Sequence, residues 1–297
     1  MRSPKDLEEL QMKIPALRKF RKNWIALAGM LFSTSCMASS EDPASDWSNM
    51  VDRALQAQPH WATMIGVPST GLTQGFRYHY TQQYQPNGTE ITNYGSNKGL
   101  ELIVSEDTQV QFGVPAYIDR ETLKTSSAGW GDENVLAKHR FASANEENGN
   151  YVFSGSLGLS MPTGNSPFTS HSAIYTPALA FGKGWGTRQR EIAVQSLISC
   201  AIPDHNLSTL GMPISWNTGL QARVFRHIWP EIEANYTHWS KGPYDGKNQL
   251  IVTYGLVFDN RILNREKMTL GLGYQEAKGT GITTFGRAWV LMAKFSF

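Results

Sequence analysis

The feature that most constrains this chain is the alternation in its final stretch, Phe285 to Phe297, which reads F-G-R-A-W-V-L-M-A-K-F-S-F. A β-strand sends successive side chains to opposite faces. Counted back from the terminus, Phe297, Phe295, Ala293, Leu291 and Trp289 share one face, while Ser296, Lys294, Met292, Val290 and, in this reading, Arg287 share the other. One face is apolar and aromatic, and the other carries cations. A strand of a transmembrane barrel needs this pattern, because its outside meets lipid and its inside meets water or a polar plug. A strand of a soluble sandwich also alternates, with the apolar face turned to a shared core. Both readings stand on alternation alone.

Composition narrows the choice. The 297 residues are 40% hydrophobic, with a mean hydropathy of −0.35, and no run reaches the roughly 18 to 20 apolar residues that a membrane-spanning helix requires. The longest apolar run, Trp24 to Phe32, follows Arg18, Lys19, Arg21 and Lys22 and precedes small residues ending at Ala38 and Ser40. That order is a secretory signal peptide over 1–40, with cleavage before Glu41 and Met12 as an alternative start. Cys36 lacks the Leu three residues before it that a lipoprotein site uses. The mature chain then keeps only Cys200, so no intramolecular disulfide holds it. A net charge of +2 is too mild to point to nucleic acid.

Residues 41–71 read as a segment preceding the strands. Trp47, Met50, Val51, Ala54 and Leu55 recur at helical spacing after Asp46, an N-cap candidate, and predict a short amphipathic helix near 44–57. From Leu72 the chain becomes alternating segments of about ten residues separated by turn-rich stretches. Strands are expected at 72–84, 98–105, 108–117, 131–142, 150–161, 172–183, 188–201, 214–226, 230–240, 248–259, 267–276 and 286–297. Twelve is even, as an antiparallel barrel with both ends on the periplasmic side requires. The links after odd strands are mostly the longer ones and are read as outer loops. The fold class expected is an all-β, up-and-down transmembrane barrel over 72–297 with a short N-terminal helix.

Several segments carry a likeness to a known family: His60-Trp61, Phe76-Arg77-Tyr78, Lys98-Gly99-Leu100-Glu101-Leu102-Ile103, Gly129-Trp130-Gly131-Asp132, Met161-Pro162-Thr163-Gly164, Gly182-Lys183-Gly184-Trp185-Gly186 and Trp229-Pro230-Glu231. Together they resemble the outer-membrane barrel family named for the meta-cleavage pathway of phenol degradation, whose members are labelled transporters. The resemblance runs from about His60 to Phe297 and implies an outer-membrane barrel for small, apolar or aromatic solutes. It offers no motif of transport residues.

Candidate site residues therefore come from the inward rows. Arg77, Asp132, Lys138, Arg140, Arg223, Glu231, Glu233, Arg287 and Lys294 are expected to line the lumen, where charge sets selectivity. The competing expectation is that they pair across a narrow bore and close it. Arg77, Arg287 and Lys294 are expected to meet inside one wall where the last strand closes on the first. Phe297, Phe295, Leu291 and Trp289 form the expected assembly signal, read by the barrel-assembly machinery, with outer-membrane lipids and lipopolysaccharide as surroundings. No lipase motif surrounds a Ser near His139, His171 or His205, so an enzyme is not expected, and no spacing suggests a metal or cofactor. Gly182 to Gly186 has no following helix and reads as a turn rather than a phosphate loop. The channel, a non-conducting structural or adhesive barrel, and a lipid-modifying enzyme remain in order of preference.

Overall fold

The computed structural model describes residues 43–95, 98–187, 189–225, 227–261, 266–279 and 285–297. The leader expected over 1–40 lies outside the described residues. The chain divides into two units after Ser45, and the barrel belongs wholly to the unit from Asp46 to Phe297.

Helix α1, Pro43–Gln56, opens the described chain and is the helix expected from the spacing of Trp47, Val51 and Ala54. It begins before Asp46, so Asp46 sits in its first turn and not at its cap. The strands follow in order: β1 Gly75–Tyr84, β2 Glu90–Tyr94, β3 Gly99–Ser105, β4 Thr108–Gly113, β5 Tyr117–Glu121, β6 Ser126–Trp130, β7 Glu133–Ala144 and β8 Tyr151–Met161. Then come β9 Ile174–Thr187, β10 Arg190–Cys200, β11 Ile202–Pro203, the short helix α2 Leu207–Leu210, β12 Met212–Ala222, β13 Ile228–Ser240, β14 Asn248–Arg261, β15 Lys267–Gly279 and β16 Arg287–Ser296. β16 pairs with β1, from Phe76↔Phe295 to Tyr84↔Arg287, so the sheet closes. The result is a closed antiparallel barrel of twelve strands.

Sixteen strands make twelve staves because four staves are each built of two strands: β11, paired with β9, continues β10, and three more are continued outward. β2 continues β3, β5 continues β4 and β6 continues β7, and β1, β2, β5 and β6 pair in that order above the barrel wall. These residues fall largely within 85–97 and 118–130, which the sequence pattern assigns to loops. Their faces are too polar to read as lipid-facing strand, as in Glu90-Ile91-Thr92-Asn93-Tyr94. The ladder continues there because exposed backbone groups find partners and an aromatic row forms across it. Tyr80, Tyr94, Tyr117 and Trp130 stand at successive centroid distances of 5.5, 6.4 and 5.2 Å. The edge at β6 is covered: Trp130 N–H donates to Asn165 Oδ1 at 3.0 Å, and Asn165 N–H donates to the Trp130 carbonyl at 2.8 Å. β9 likewise runs on through Gly182 to Thr187, so the glycine-rich segment expected as a turn is strand.

The outer face is apolar. Phe76 is 41% exposed while its neighbour Arg77 is 3% exposed, and the same alternation runs along β16. At one end of the wall stand Phe295 and Phe297, and toward the other Tyr274 and Trp289 pack at 5.1 Å. Leu270, Leu272 and Leu291 lie exposed between them. From Trp289 to Phe295 the strand advances about 20 Å, close to the height of the apolar band of an outer-membrane barrel, about 25 Å. Among the described residues no helix is long and apolar enough to cross a membrane.

Arg287 departs from expectation. It is exposed, in the outward row with Trp289 and Leu291, and its guanidinium lies over the Tyr84 ring at 5.4 Å. The parity is decided by register: Ala288, Val290, Met292 and Lys294 point inward, so an odd-numbered residue cannot join them. The basic group expected at the closing seam is therefore Arg77 beside Lys294, without Arg287.

If the outer face meets lipid, an Arg in place of Leu272, midway between the aromatic girdles, should cost about 2 to 4 kcal/mol. Denaturant unfolding in lipid measures this, and an unchanged midpoint contradicts the assignment.

Candidate functional site: the lumen and its resident segment

The bore of twelve strands is wider than wall side chains alone fill, and here the chain fills part of it with itself. Residues 58–73, between α1 and β1, enter the barrel and turn back within it, with Ala62, Met64, Ile65, Val67, Thr70 and Leu72 at 1% exposure or less. The segment has little secondary structure of its own. Its backbone groups must therefore be satisfied by the wall, and this is what the inward charges do.

Glu231 and Glu233, two positions apart on β13, face the segment. Glu231 accepts from the Ile65 amide at 3.0 Å, and Glu233 accepts from the amides of Gly66 at 2.8 Å and Val67 at 2.9 Å. Three successive N–H groups thus converge on two carboxylates. Across the lumen the Arg77 guanidinium donates to the carbonyls of Met64 at 2.5 Å and Ile65 at 3.1 Å. Lys138 donates to the carbonyls of Ser69 at 2.7 Å and Gly71 at 3.0 Å. Arg140 donates to the Ala54 carbonyl at the end of α1 at 2.6 Å and pairs with Asp107 at 2.9 Å. Lys294 pairs with Glu101 at 2.8 Å, both buried. Arg223 donates to the His60 carbonyl at 3.3 Å and stacks on Trp229 at 4.5 Å.

Apolar groups complete the seat, so the lumen is not uniformly polar. Trp229, Val257, Val290 and Met292 turn inward and pack on Ala62 and Ile65, with Trp61 alongside. Trp61 occupies space left by two wall glycines: a Cβ at Gly182 or Gly184 would run into its ring. Its indole N–H donates to Glu191 at 2.9 Å. Below, Val51, Ala54 and Leu72 pack on Ile103 of β3, and the Trp47 indole donates to the Ile103 carbonyl at 3.0 Å. Sequence reasoning singles out His60-Trp61 without giving the pair a role. It misses Glu191, Gln195 and Glu101, although each lies on an inward row that strict alternation along β10 and β3 exposes.

At the wall end where β1 begins and β16 ends, the turn after β7 fixes the segment's start. Glu146 accepts from the His60 amide at 2.7 Å and bonds the His60 ring at 3.0 Å. Burial by itself would raise this carboxyl, but the His60 ring and amide outweigh it and hold the pKa at about 2. The segment then turns back toward the start of β1, with Thr70 bonded to Gln195 at 2.8 Å and Thr73 to Gln109 at 2.7 Å. Above it lies a cavity of about 570 Å³. Its floor is Ile65 and Gly66, and its cover includes Phe168 and Ser170 of the loop 162–173. Asp132 on its wall accepts from Gly164 N–H at 3.0 Å, from Ser170 N–H at 2.8 Å and from the Ser170 hydroxyl at 2.7 Å. That carboxylate ties the loop down and does not stand open in a pore.

The three histidines weighed for catalysis have other partners. The His139 ring meets Thr108 at 3.1 Å on the outer wall. His205 bonds the His171 carbonyl at 2.8 Å and Asp204 at 2.5 Å, while the Ser172 hydroxyl donates to the His205 carbonyl at 3.1 Å. Among the described residues no cluster of His, Cys, Asp and Glu is placed to hold a metal ion.

No protein-family model and no curated protein matches this chain. Among solved structures the barrel is similar to the COG4313 outer membrane channel from Pseudomonas putida F1, with a TM-score of 0.50 and 13% identity over 76% of this chain and 97% of that one. The NanC porin aligns with a TM-score of 0.46 and 8% identity over 74% and 98% of the two chains. The KdgM porin gives 0.41 and 11% over 74% and 99%. At such identities the likeness to the first is one of fold.

The Glu146 clasp gives a pH dependence. Its folded pKa lies below the ordinary carboxyl value near 4.5, so its stabilisation of the docked segment is complete above that value and is lost as pH falls toward 2. Trp61 fluorescence, followed with protease access to residues 58–73, should report loosening between about pH 4.5 and 2, and a His60→Ala variant should shift that loosening to higher pH. Identical profiles for the two proteins contradict the clasp.

Proposed function

We propose that this protein is an outer-membrane channel for small solutes in which residues 58–73 are the resident constriction. The carrying observation is where the inward charges go. Arg77, Lys138, Glu231 and Glu233 each bond the backbone of residues 58–73. A barrel that only needed closing could pair these charges directly across its wall. Bonding them to a tethered segment leaves a polar track whenever the segment shifts, and a solute cavity already stands above it. The apolar residues around that cavity favour a solute with an apolar or aromatic body, as the family resemblance implies. The termini lie on the periplasmic side in this reading, and the long loops outside.

A non-conducting structural barrel is the second reading, and the filled lumen favours it. Current through purified protein in planar bilayers separates the two. Replacing Glu233 with Ala removes the acceptor of two segment amides; hydrogen bonds to a charged group each contribute about 1.5 to 3 kcal/mol, so the open population should rise about tenfold or more. A tight seal in both wild type and variant overturns the channel reading.

The outward aromatic row ending at Phe295 and Phe297 supports the proposal that assembly machinery reads the carboxyl-terminal strand. A Phe297→Ala variant should reach the outer membrane at several-fold lower levels, measured by heat-modifiable migration of membrane fractions. Unaltered levels contradict that role.

A further inference from the structure

The cavity above the constriction contains an inward cation, Lys98, that among the described residues neither the segment nor a carboxylate engages. Between Tyr94 and Gly99 the second stave is interrupted: Gly95 has φ of 102°, and the Lys98 amide donates to its carbonyl at 3.1 Å. Lys98 lies on the cavity wall, half-buried. Among the described residues its ammonium makes no hydrogen bond or ion pair. The anions around it are taken: Glu101 by Lys294, Glu233 by the amides of Gly66 and Val67, and Asp132 by the loop amides and the Ser170 hydroxyl. The other inward cations, Arg77, Lys138, Arg140, Arg223 and Lys294, each have a carbonyl or a carboxylate.

His79 adds a second donor. Arg77 Nε–H donates to His79 Nε2 at 2.9 Å. That nitrogen therefore carries the lone pair, and the ring proton is at Nδ1. The ring lines the same cavity. Around these donors the wall presents Ile118, Ile251, Val290 and, from the loop, Phe168. A volume of about 570 Å³ lies within the range of small-molecule sites, about 300 to 1,000 Å³. A cation held away from bulk water without a partner is costly and is relieved by an anion. An apolar wall beside it selects an anion with an apolar body over a hydrated inorganic one.

We infer that this cavity is a binding site for a small amphiphilic organic anion, an aromatic carboxylate or phenolate, with its oxygen on Lys98 and its ring against Ile118, Val290 and Phe168. The inference deepens the channel reading, since such an anion would be the solute waiting above the constriction, but the site is tested without transport.

The experiment is calorimetric titration of the purified full chain in detergent with benzoate, acetate, benzyl alcohol and benzylamine. Benzoate should bind saturably and at least several-fold tighter than the other three. In Lys98→Met binding should weaken about tenfold or more, the loss expected on deleting a charge-assisted hydrogen bond, and Lys98→Arg should largely restore it. Heat-modifiable migration verifies that each variant has formed its barrel. Where Lys98→Met forms none, the comparison passes to Ile118→Asp, which should lower benzoate affinity in the same way. Benzoate bound no tighter than acetate, equal binding of benzyl alcohol, or unchanged affinity in a folded Lys98→Met overturns the inference. Current in planar bilayers is read separately. A conducting barrel that ignores benzoate sinks the site alone, and benzoate binding to a barrel that never conducts sinks the channel alone.

Discussion

A sheet in hydrocarbon has no water to satisfy an unpaired edge, and each lone N–H or carbonyl there costs several kcal/mol. The ladder between β1 and β16, with Phe76 opposite Phe295 and Arg77 opposite Lys294, removes the last edge of the wall. Closure then creates the second problem that shapes this molecule. Twelve staves enclose more space than their own side chains occupy, and that space has polar and charged walls.

The chain answers with residues 58–73, and the arrangement is reciprocal. An irregular segment carries backbone groups without partners, and the wall carries buried charges without partners; each supplies what the other lacks. Glu231 and Glu233 take amides, while Arg77 and Lys138 take carbonyls. The arrangement differs from a hydrophobic core because its contacts are directional and discrete. Losing one leaves a buried charge, so the segment is either seated on its whole set of partners or released from several together. The mini-core of Trp229, Val257 and Met292 around Ile65 adds apolar contact at the point where the amides are clasped.

The same geometry separates two regions along the axis. Toward the start of β1 the lumen is committed to the segment, from the Glu146 clasp on His60 to the seat of Trp61 on Gly182 and Gly184. Toward the loops the committed charges end, and the cavity bounded by Lys98, His79 and the tied loop 162–173 begins. Asp132 belongs to this second region as a loop anchor. That role differs from the pore-lining one expected of it, because three donors from the loop surround its carboxylate.

Much of the wall is legible in the sequence because a period of two is a local property. Phe76, Tyr78 and Tyr80 against Arg77 and His79, or Ile232 and Tyr236 against Glu231 and Glu233, declare two faces without reference to any other part of the chain. The helix of Trp47, Val51 and Ala54 is legible for the same reason. Where alternation is set aside or fails, so does the expectation: Arg287 lies near Lys294 in the sequence but its parity puts it outside, and the polar extensions β2, β5 and β6 look like loops. Partnership is not local. That Trp61 would meet Glu191, or that Ile65 would meet Glu231, depends on how a segment threads a closed barrel, and no spacing records it. Lys98 falls in an interruption of the stave, where the period carries no information about facing. The sequence by itself determined a two-faced wall and its closure; only the tertiary structure decided what fills the lumen, since each inward group finds its partner across a bore that exists only after the last strand has paired with the first.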